Sequence, residues 1–281
     1  MKFGVVIRNM GPQSTRETIA ACARAVEDCG FDAAFVVDHL TIPPDQTEGS
    51  GGRYLDPLTT LGYLAGITQK IRLGISVLVI PYRPALLIAK QLATLQELSG
   101  ERIILGAGVG WMREEFAILG VDPRKRGALT DEALQILHNL FANDVNSYDG
   151  KLVKFPPFVF APRPARPPIW IGGSGPKALE RTLRFGEAYY PIGLKPDEIT
   201  HLSSYFREEA QKLNRPTPEI IVGGMIREGE GGSASMIDRI SAYRDAGASY
   251  YVLGLGRYPD ADTFRRGIER FAKDVIPKIS G

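Results

Sequence analysis

Short, unbroken apolar runs recur along the chain, at 3–7, 33–37, 71–80, 103–106, 169–171, 188–192, 220–222 and 250–253, the sixth the weakest of the eight. Continuous rather than alternating runs mark parallel strands that are covered on both faces. The segments between them carry helical spacing and recognisable helix ends. Ser14-Thr15-Arg16-Glu17 reads as a capping box ahead of a helix that buries Ile19, Ala23 and Val26. Pro84 suits a first turn and Ser99-Gly100 a stop around Ile88, Leu92 and Leu95. Thr130-Asp131 predicts the cap of a helix carrying Leu134, Leu137 and Phe141.

Strand followed by helix, repeated, predicts a parallel sheet. Eight such units within 281 residues favour an α/β chain closed into a single (β/α)8 TIM barrel, one domain over 1–281, above an open doubly wound sheet. Two stretches break the rhythm. Residues 41–54 are rich in Pro, Gly and polar side chains without apolar periodicity, which predicts a mobile loop after the second strand. Residues 145–168 place an Asp149-Gly150 turn between 145–148 and 152–155 and then a series of prolines barred from a sheet interior. A hairpin and Pro-rich insertion before the fifth strand is expected there.

Bulk composition narrows the function classes. A 44% apolar share supplies a large core, and a formal charge of +2 with no long run of like charges makes nucleic acid and membrane surfaces poor partners. The N-terminal apolar stretch is too short for a signal peptide, so a cytoplasmic protein is expected. Cys22 and Cys29 stand seven positions apart on one helix, roughly 10 Å along its axis, too far for a disulfide and consistent with buried free thiols. Three scattered histidines and these two thiols offer no metal-ligand spacing. Ser174 lies in Gly-Gly-Ser-Gly-Pro, whose last position departs from a hydrolase nucleophile elbow.

Barrel enzymes place their chemistry where strands run out into βα loops. The second run ends in Asp38-His39, the third contains Ser76-Val77, the fourth ends in Gly106-Ala107-Gly108-Val109-Gly110-Trp111, and the fifth in Gly172-Gly173-Ser174-Gly175. Four strand ends thus converge on one sector. Gly172 to Gly175 precede a helix near Pro176, where exposed N–H groups and the helix dipole favour an anion such as a cofactor phosphate. A tight βα turn needs the same glycines, and the segment alone leaves both readings open. The Gly106–Trp111 run fails the dinucleotide fingerprint, so a flat ring against bare backbone and simple close packing both stand. His39 alone among the histidines ends a strand, while His138 and His201 fall on helices. Its imidazole suits proton transfer, with Asp38 beside it as a hydrogen-bonding group; a satisfied core histidine and a capping aspartate are the plain alternative.

Together these segments resemble the luciferase-like monooxygenase superfamily, in particular its branch of oxidoreductases that use the deazaflavin coenzyme F420. The likeness spans nearly the whole chain. It is most specific over Lys90-Gln91-Leu92-Ala93-Thr94-Leu95, Ser99 to Trp111, Glu114-Glu115-Phe116 and Leu119-Gly120-Val121, with a second match at Pro168-Ile169-Trp170-Ile171-Gly172-Gly173-Ser174-Gly175. The resemblance implies a barrel with cofactor across strands two to five, a homodimer, and a cis peptide at Ser76-Val77 bulging against the cofactor ring. It implies that Asp38 and His39 form the pair near the redox carbon, that Gly108, Val109 and Gly110 lie by the ring, and that Gly172, Gly173 and Ser174 hold the phosphate. Two departures bear on the substrate. Members that oxidise a sugar phosphate carry Glu where this chain has Trp111, which implies an aromatic pocket wall and a different small molecule. Relatives with Asp-Gly-Trp after strand six differ from Gly186-Glu187-Ala188-Tyr189-Tyr190 here. The expected activity is hydride transfer between F420 and a small organic substrate; the alternatives are an FMN-dependent monooxygenase and a non-catalytic flavin- or deazaflavin-binding barrel.

Overall fold

The computed structural model describes residues 1–47, 49–225 and 233–280. The strands are β1 (Lys2–Val6), β2 (Ala33–Val36), β3 (Arg72–Val79), β4 (Ile103–Gly108), β5 (Val145–Asp149), β6 (Lys154–Val159), β7 (Ile169–Gly172), β8 (Ala188–Tyr190), β9 (Glu219–Met225) and β10 (Tyr250–Gly254). The helices are α1 (Arg16–Asp28), α2 (Pro57–Ile67), α3 (Ala85–Ser99), α4 (Arg113–Ile118), α5 (Arg126–Ala142), α6 (Pro176–Phe185), α7 (Pro196–Lys212), α8 (Ser233–Asp245), α9 (Ala261–Asp274) and α10 (Ile276–Ser280). Eight parallel strands close in the order β1-β10-β9-β8-β7-β4-β3-β2, and β5 with β6 forms the separate antiparallel hairpin. The protein is a (β/α)8 barrel with helices around it.

Strand alternation divides the apolar residues into two cores. Ala33, Phe35, Ile104, Trp170, Tyr190 and Tyr250 point inward and fill the lower barrel. Val5, Ile7, Leu73, Ile75, Leu105 and Ile171 point outward and pack under the helices. The unbroken runs in the sequence are the sum of these two faces, each buried against something different.

Several local expectations shift. The cap of α1 is Thr15, which accepts from Thr18 N, one residue beyond the predicted Ser14-Glu17 box. Ser14 is instead buried, donating to Gly11 O and accepting from Arg53 Nε. Thr130-Asp131 does not cap α5, which begins four residues earlier; Thr130 Oγ1 donates to Arg126 O within the helix, and Asp131 pairs with Arg181. The hairpin's second strand runs through Pro156 and Pro157 to Val159, because a two-stranded ribbon has an outer edge where a missing N–H leaves nothing unpaired. The segment 41–54, whose Glu48 lies outside the described residues, is tied down by Arg8 Nη2 donating to Gly49 O, by Arg53 and by a Met10–Tyr54 bridge. Cys22 is buried and Cys29 half-buried, both free, and burial pushes the Cys22 thiol up to about 12.

β3 bulges. Its register to β4 shifts between Ile75 and Leu78, and the Ser76–Val77 peptide is cis. The Val77 side chain fills the space beside Gly106 and Gly108: a Cβ on Gly106 would stand 2.1 Å from Ile75 O and 2.9 Å from Val77 Cγ1, and one on Gly108 2.6 Å from Val77 Cγ2. Gly106→Ala is therefore expected to destabilise by about 1–3 kcal/mol through overpacking. Gly66→Ala, in α2 with open space around the added methyl, is expected to stabilise by about 0.5–1 kcal/mol. Denaturant midpoints measured side by side check the pair, and equal shifts would refute the packing account.

Candidate active site

The C-terminal ends of the strands surround a cavity of about 400 Å³. Its floor and walls include Val6, Ser76, Val77, Tyr190, Val252 and Met225, with backbone of Gly172, Gly173, Gly223, Gly224 and Gly254. Among the described lining residues only Ser76 and Tyr190 bring polar side chains. Their hydroxyls lie 2.9 Å apart, and burial pushes the Tyr190 phenol up to about 12. Such a recess, apolar with few convergent polar groups, has the character of a small-molecule or cofactor site.

His39 follows β2, its side chain 20% exposed. Nδ1–H donates to Glu115 Oε2 at 3.0 Å, and no described residue bonds Nε2. Tyr54 and Trp111 meet the imidazole edge-on, with ring centroids at 5.1 and 6.1 Å. Trp111 itself is 69% exposed, on the rim rather than in the recess. Glu115, from α4, has a side chain with 0% exposure, and four donors meet it. Leu40 N (2.6 Å) and Thr41 N (3.1 Å) donate to Oε1, while His39 and Tyr82 OH (2.9 Å) donate to Oε2. Burial alone would raise the carboxyl's pKa; the bonds from His39, Leu40, Thr41 and Tyr82 outweigh it and hold the group below the ordinary glutamate range.

Asp38 departs from its expected place. Its side chain is 0% exposed, Oδ2 accepts from Val79 N (2.9 Å) and Arg83 Nη1 (2.8 Å), and Oδ1 accepts from Arg83 Nη2 (2.9 Å). Arg83 reaches on to Asp56, the cap of α2. With both oxygens committed to this fork, Asp38 is a tie between the ends of β2 and β3, and direct contact with a cofactor or substrate is closed to it. Gly108 is likewise filled by Val77, and Gly110, at φ +78°, is backed by Val79 and Phe116. A side chain at either position would therefore collide with protein. Val109 is half-buried between them; Ser174 is exposed on the turn that leads through Gly175 into α6. The structure thus gathers Ser76, Val77, Gly172 and Gly173 around one recess and sets His39 and Trp111 together with Tyr54 at the rim.

Glu115, Tyr82, Arg83 and Tyr190 are not among the site candidates read from the sequence, although Glu115 and Tyr190 fall in stretches compared with the family there. Tyr190 ends the sixth strand, a position the barrel rule flags. Glu115 stands on a short helix after Trp111, and nothing in local spacing ties it to His39.

Glu115→Gln is expected to put its amide N–H₂ opposite His39 and Tyr82, so that His39 turns from donor to acceptor at Nδ1 and carries its proton on Nε2. Histidine ¹⁵N spectra at neutral pH read the tautomer; an unchanged spectrum counts against the bond. Because the Glu115 carboxyl is lowered in the folded state, its contribution is full above the ordinary glutamate value of about 4.3 and is lost as pH falls through the lowered value. Unfolding free energy against pH should therefore flatten on its acid limb in the variant. Arg83→Met, which strands the buried Asp38 carboxylate, is expected to cost about 3–5 kcal/mol in chemical denaturation, and a loss below about 1 kcal/mol, as for a surface pair, would sink the assignment of the tie.

A 209-residue match to F420-dependent glucose-6-phosphate dehydrogenase of Nakamurella multipartita is 31% identical and covers 72% of this chain and 60% of that one. A match to 5,10-methylenetetrahydromethanopterin reductase of Methanolobus tindarius is 27% identical over 98% of this chain and 78% of the other. The monooxygenase RslO1 from Streptomyces bottropensis superposes with a TM-score of 0.86 at 19% identity, covering 99% of both chains, which is a likeness of fold. The family model for luciferase-like monooxygenases matches residues 1–228, and the chain belongs to that family.

Proposed function

We propose that this protein, one domain over 1–281, is an oxidoreductase that transfers a hydride between coenzyme F420 and a small organic substrate, with the redox ring lying across the Ser76–Val77 bulge and His39 handling the coupled proton. The observation that carries the reading is the placement of His39. A buried carboxylate takes its Nδ1–H, which leaves Nε2, bonded by no described residue, as the nitrogen free to accept or pass on the coupled proton at the mouth of the barrel. The deazaflavin, when bound, supplies the hydride chemistry. The chain's own groups fit it: glycine backbone on β7, β9 and β10 leaves a flat recess, and a Cβ at Gly173 or Gly223 would meet its nearest neighbours only at 3.9 and 3.7 Å, where a ligand has room to approach. Val77, Ser76 and Tyr190 would hold the ring, and Gly172, Gly173 and Ser174 at the start of α6 would hold the phosphate. Trp111 and Tyr54 shape the substrate side. The named relative that uses F420 supports the deazaflavin.

The second reading keeps the same residues and places FMN in the recess of a monooxygenase, favoured by the fold likeness to RslO1. A third, a barrel that binds the cofactor without turnover, keeps the recess alone. The reading also carries a homodimer: Leu87 and Leu98 stand 48% and 75% exposed on α3.

Absorbance titration of the purified chain with F420 and with FMN separates the first two: the deazaflavin should bind the tighter, and saturation by FMN with none by F420 would refute the proposal. His39→Ala should retain the cofactor yet lose about 10²–10⁴-fold in turnover. Full activity in that variant would remove His39 from the chemistry.

A further inference from the structure

The hydroxyls of Ser76 and Tyr190 meet across the recess from strands that two others separate, since β8 reaches β3 in the sheet only through β7 and β4. One proton lies between the two oxygens, so the pair has a direction. If Ser76 donated, the Tyr190 O–H would need an acceptor of its own; Tyr190 is 9% exposed, and no other hydrogen bond to it is present among the described residues. If Tyr190 donates, the spare proton sits on Ser76, which is half-buried and lines the recess. A buried donor left unmet costs its full desolvation, whereas one that faces a cavity is met by water or ligand. Burial pushes the Tyr190 phenol up to about 12, so it carries its proton at neutral pH. We propose that Tyr190 is a positioning residue: it donates to Ser76 Oγ and thereby turns the Ser76 O–H into the recess, as an uncharged donor to a carbonyl oxygen of the bound redox ring. The ring part rests on the reading of the recess given above; the order of the protons does not.

Packing fixes the phenol. Its ring meets Trp170 edge-on, with centroids 5.8 Å apart and planes at 81°, and Trp170 in turn lies 5.3 Å from Phe35 in the lower barrel. A serine hydroxyl by itself has three staggered rotamers and a free O–H rotor. Tied to an immobile phenol, it keeps one orientation, and two hydroxyls in series polarise each other, which strengthens the outer bond. The rest of the described lining is apolar side chain and glycine backbone, so the hydroxyl proton is the feature by which side chains read a ligand's polar edge. It selects an acceptor: a carbonyl oxygen meets it, and a ring N–H opposes it. When the ring gains electrons its carbonyl oxygens gain negative charge, and a hydrogen bond to a more negative acceptor is the stronger one. The pair therefore favours the reduced ring over the oxidised one.

Neutron diffraction from crystals of the cofactor-free chain at neutral pD locates both deuterons. That of Tyr190 should lie on the line to Ser76 Oγ and that of Ser76 should face the recess; a Ser76 deuteron aimed at Tyr190 would overturn the proposal. Absorbance titration with F420 and with FMN, each oxidised and, under argon, reduced, tests the ring part, since both rings carry the same carbonyl edge. Ser76→Ala should weaken binding of the oxidised ring about three- to tenfold and of the reduced ring by more than about tenfold. Tyr190→Phe, which keeps the aromatic ring against Trp170, should show a smaller loss with the same bias toward the reduced form. The double variant should bind no more weakly than Ser76→Ala alone, as for a residue that acts through its neighbour. Losses that multiply in the double variant would give Tyr190 a ligand contact of its own, equal losses in both redox forms would reduce it to packing, and unchanged affinities would remove the pair from the ring; each overturns the proposal. Thermal unfolding of the variants guards against a folding defect. If the parent chain bound neither cofactor, the reading of the recess would fall and the ring part with it, while the deuteron positions would still decide the order of the protons.

Discussion

A carboxylate removed from water must find all of its partners in the protein, and the rim of this barrel is organised by two that do. Glu115 gathers the His39 imidazole, two successive backbone N–H groups after it and the Tyr82 hydroxyl. Asp38, one residue before His39, gathers Arg83 and the Val79 amide. Between them they fix the exit of β2 from both sides, one toward α4 and the other toward β3. The imidazole therefore has one orientation available, and its free nitrogen is decided by a group with no contact with solvent. If either carboxylate were left unpaired, the exit loop would have to open to hydrate it.

The same logic separates glycines that make room for protein from glycines that make room for something else. Gly106 and Gly108 are filled by Val77, and Gly74 lies against Phe35, whose ring atom would stand 2.3 Å from an added Cβ. Gly173 and Gly223 have no neighbour closer than 3.7 Å. The first group builds the floor; the second leaves the recess open. A glycine count along the strand ends merges the two.

The fold was legible because each parallel strand is buried on both faces, so its apolar run survives as a contiguous signal whatever it packs against. Boundaries were less so: the start of α5 at Arg126 is set by a preceding turn whose cap Asp122 bonds Arg124, and the predicted Thr130 cap is an ordinary helical threonine. At the site, His39 could be found from its position at a strand end, while the partner that orients it is 76 residues away and its proximity is a product of barrel closure. Asp38 illustrates the converse. Adjacency to His39 made it look like chemistry, yet strand alternation sends neighbouring side chains to opposite faces, and the one beside an inward histidine points into the wall.

That alternation also divides labour around the mouth. Through β7 to β10 the interior positions at the top are glycine or apolar apart from Tyr190, and they surround a recess suited to a flat, uncharged surface. Through β1 and β2 the corresponding positions are Arg8 and His39, polar groups whose neighbours are the aromatic edges of Tyr54 and Trp111. The imidazole of His39 and the guanidinium of Arg8 are thus set apart from the apolar recess. The asymmetry follows from which residues stand at even positions of β1 and odd positions of β2, and a shift of one residue in either strand would bury the charges in the outer core and turn Ile7 or Asp38 toward the mouth instead.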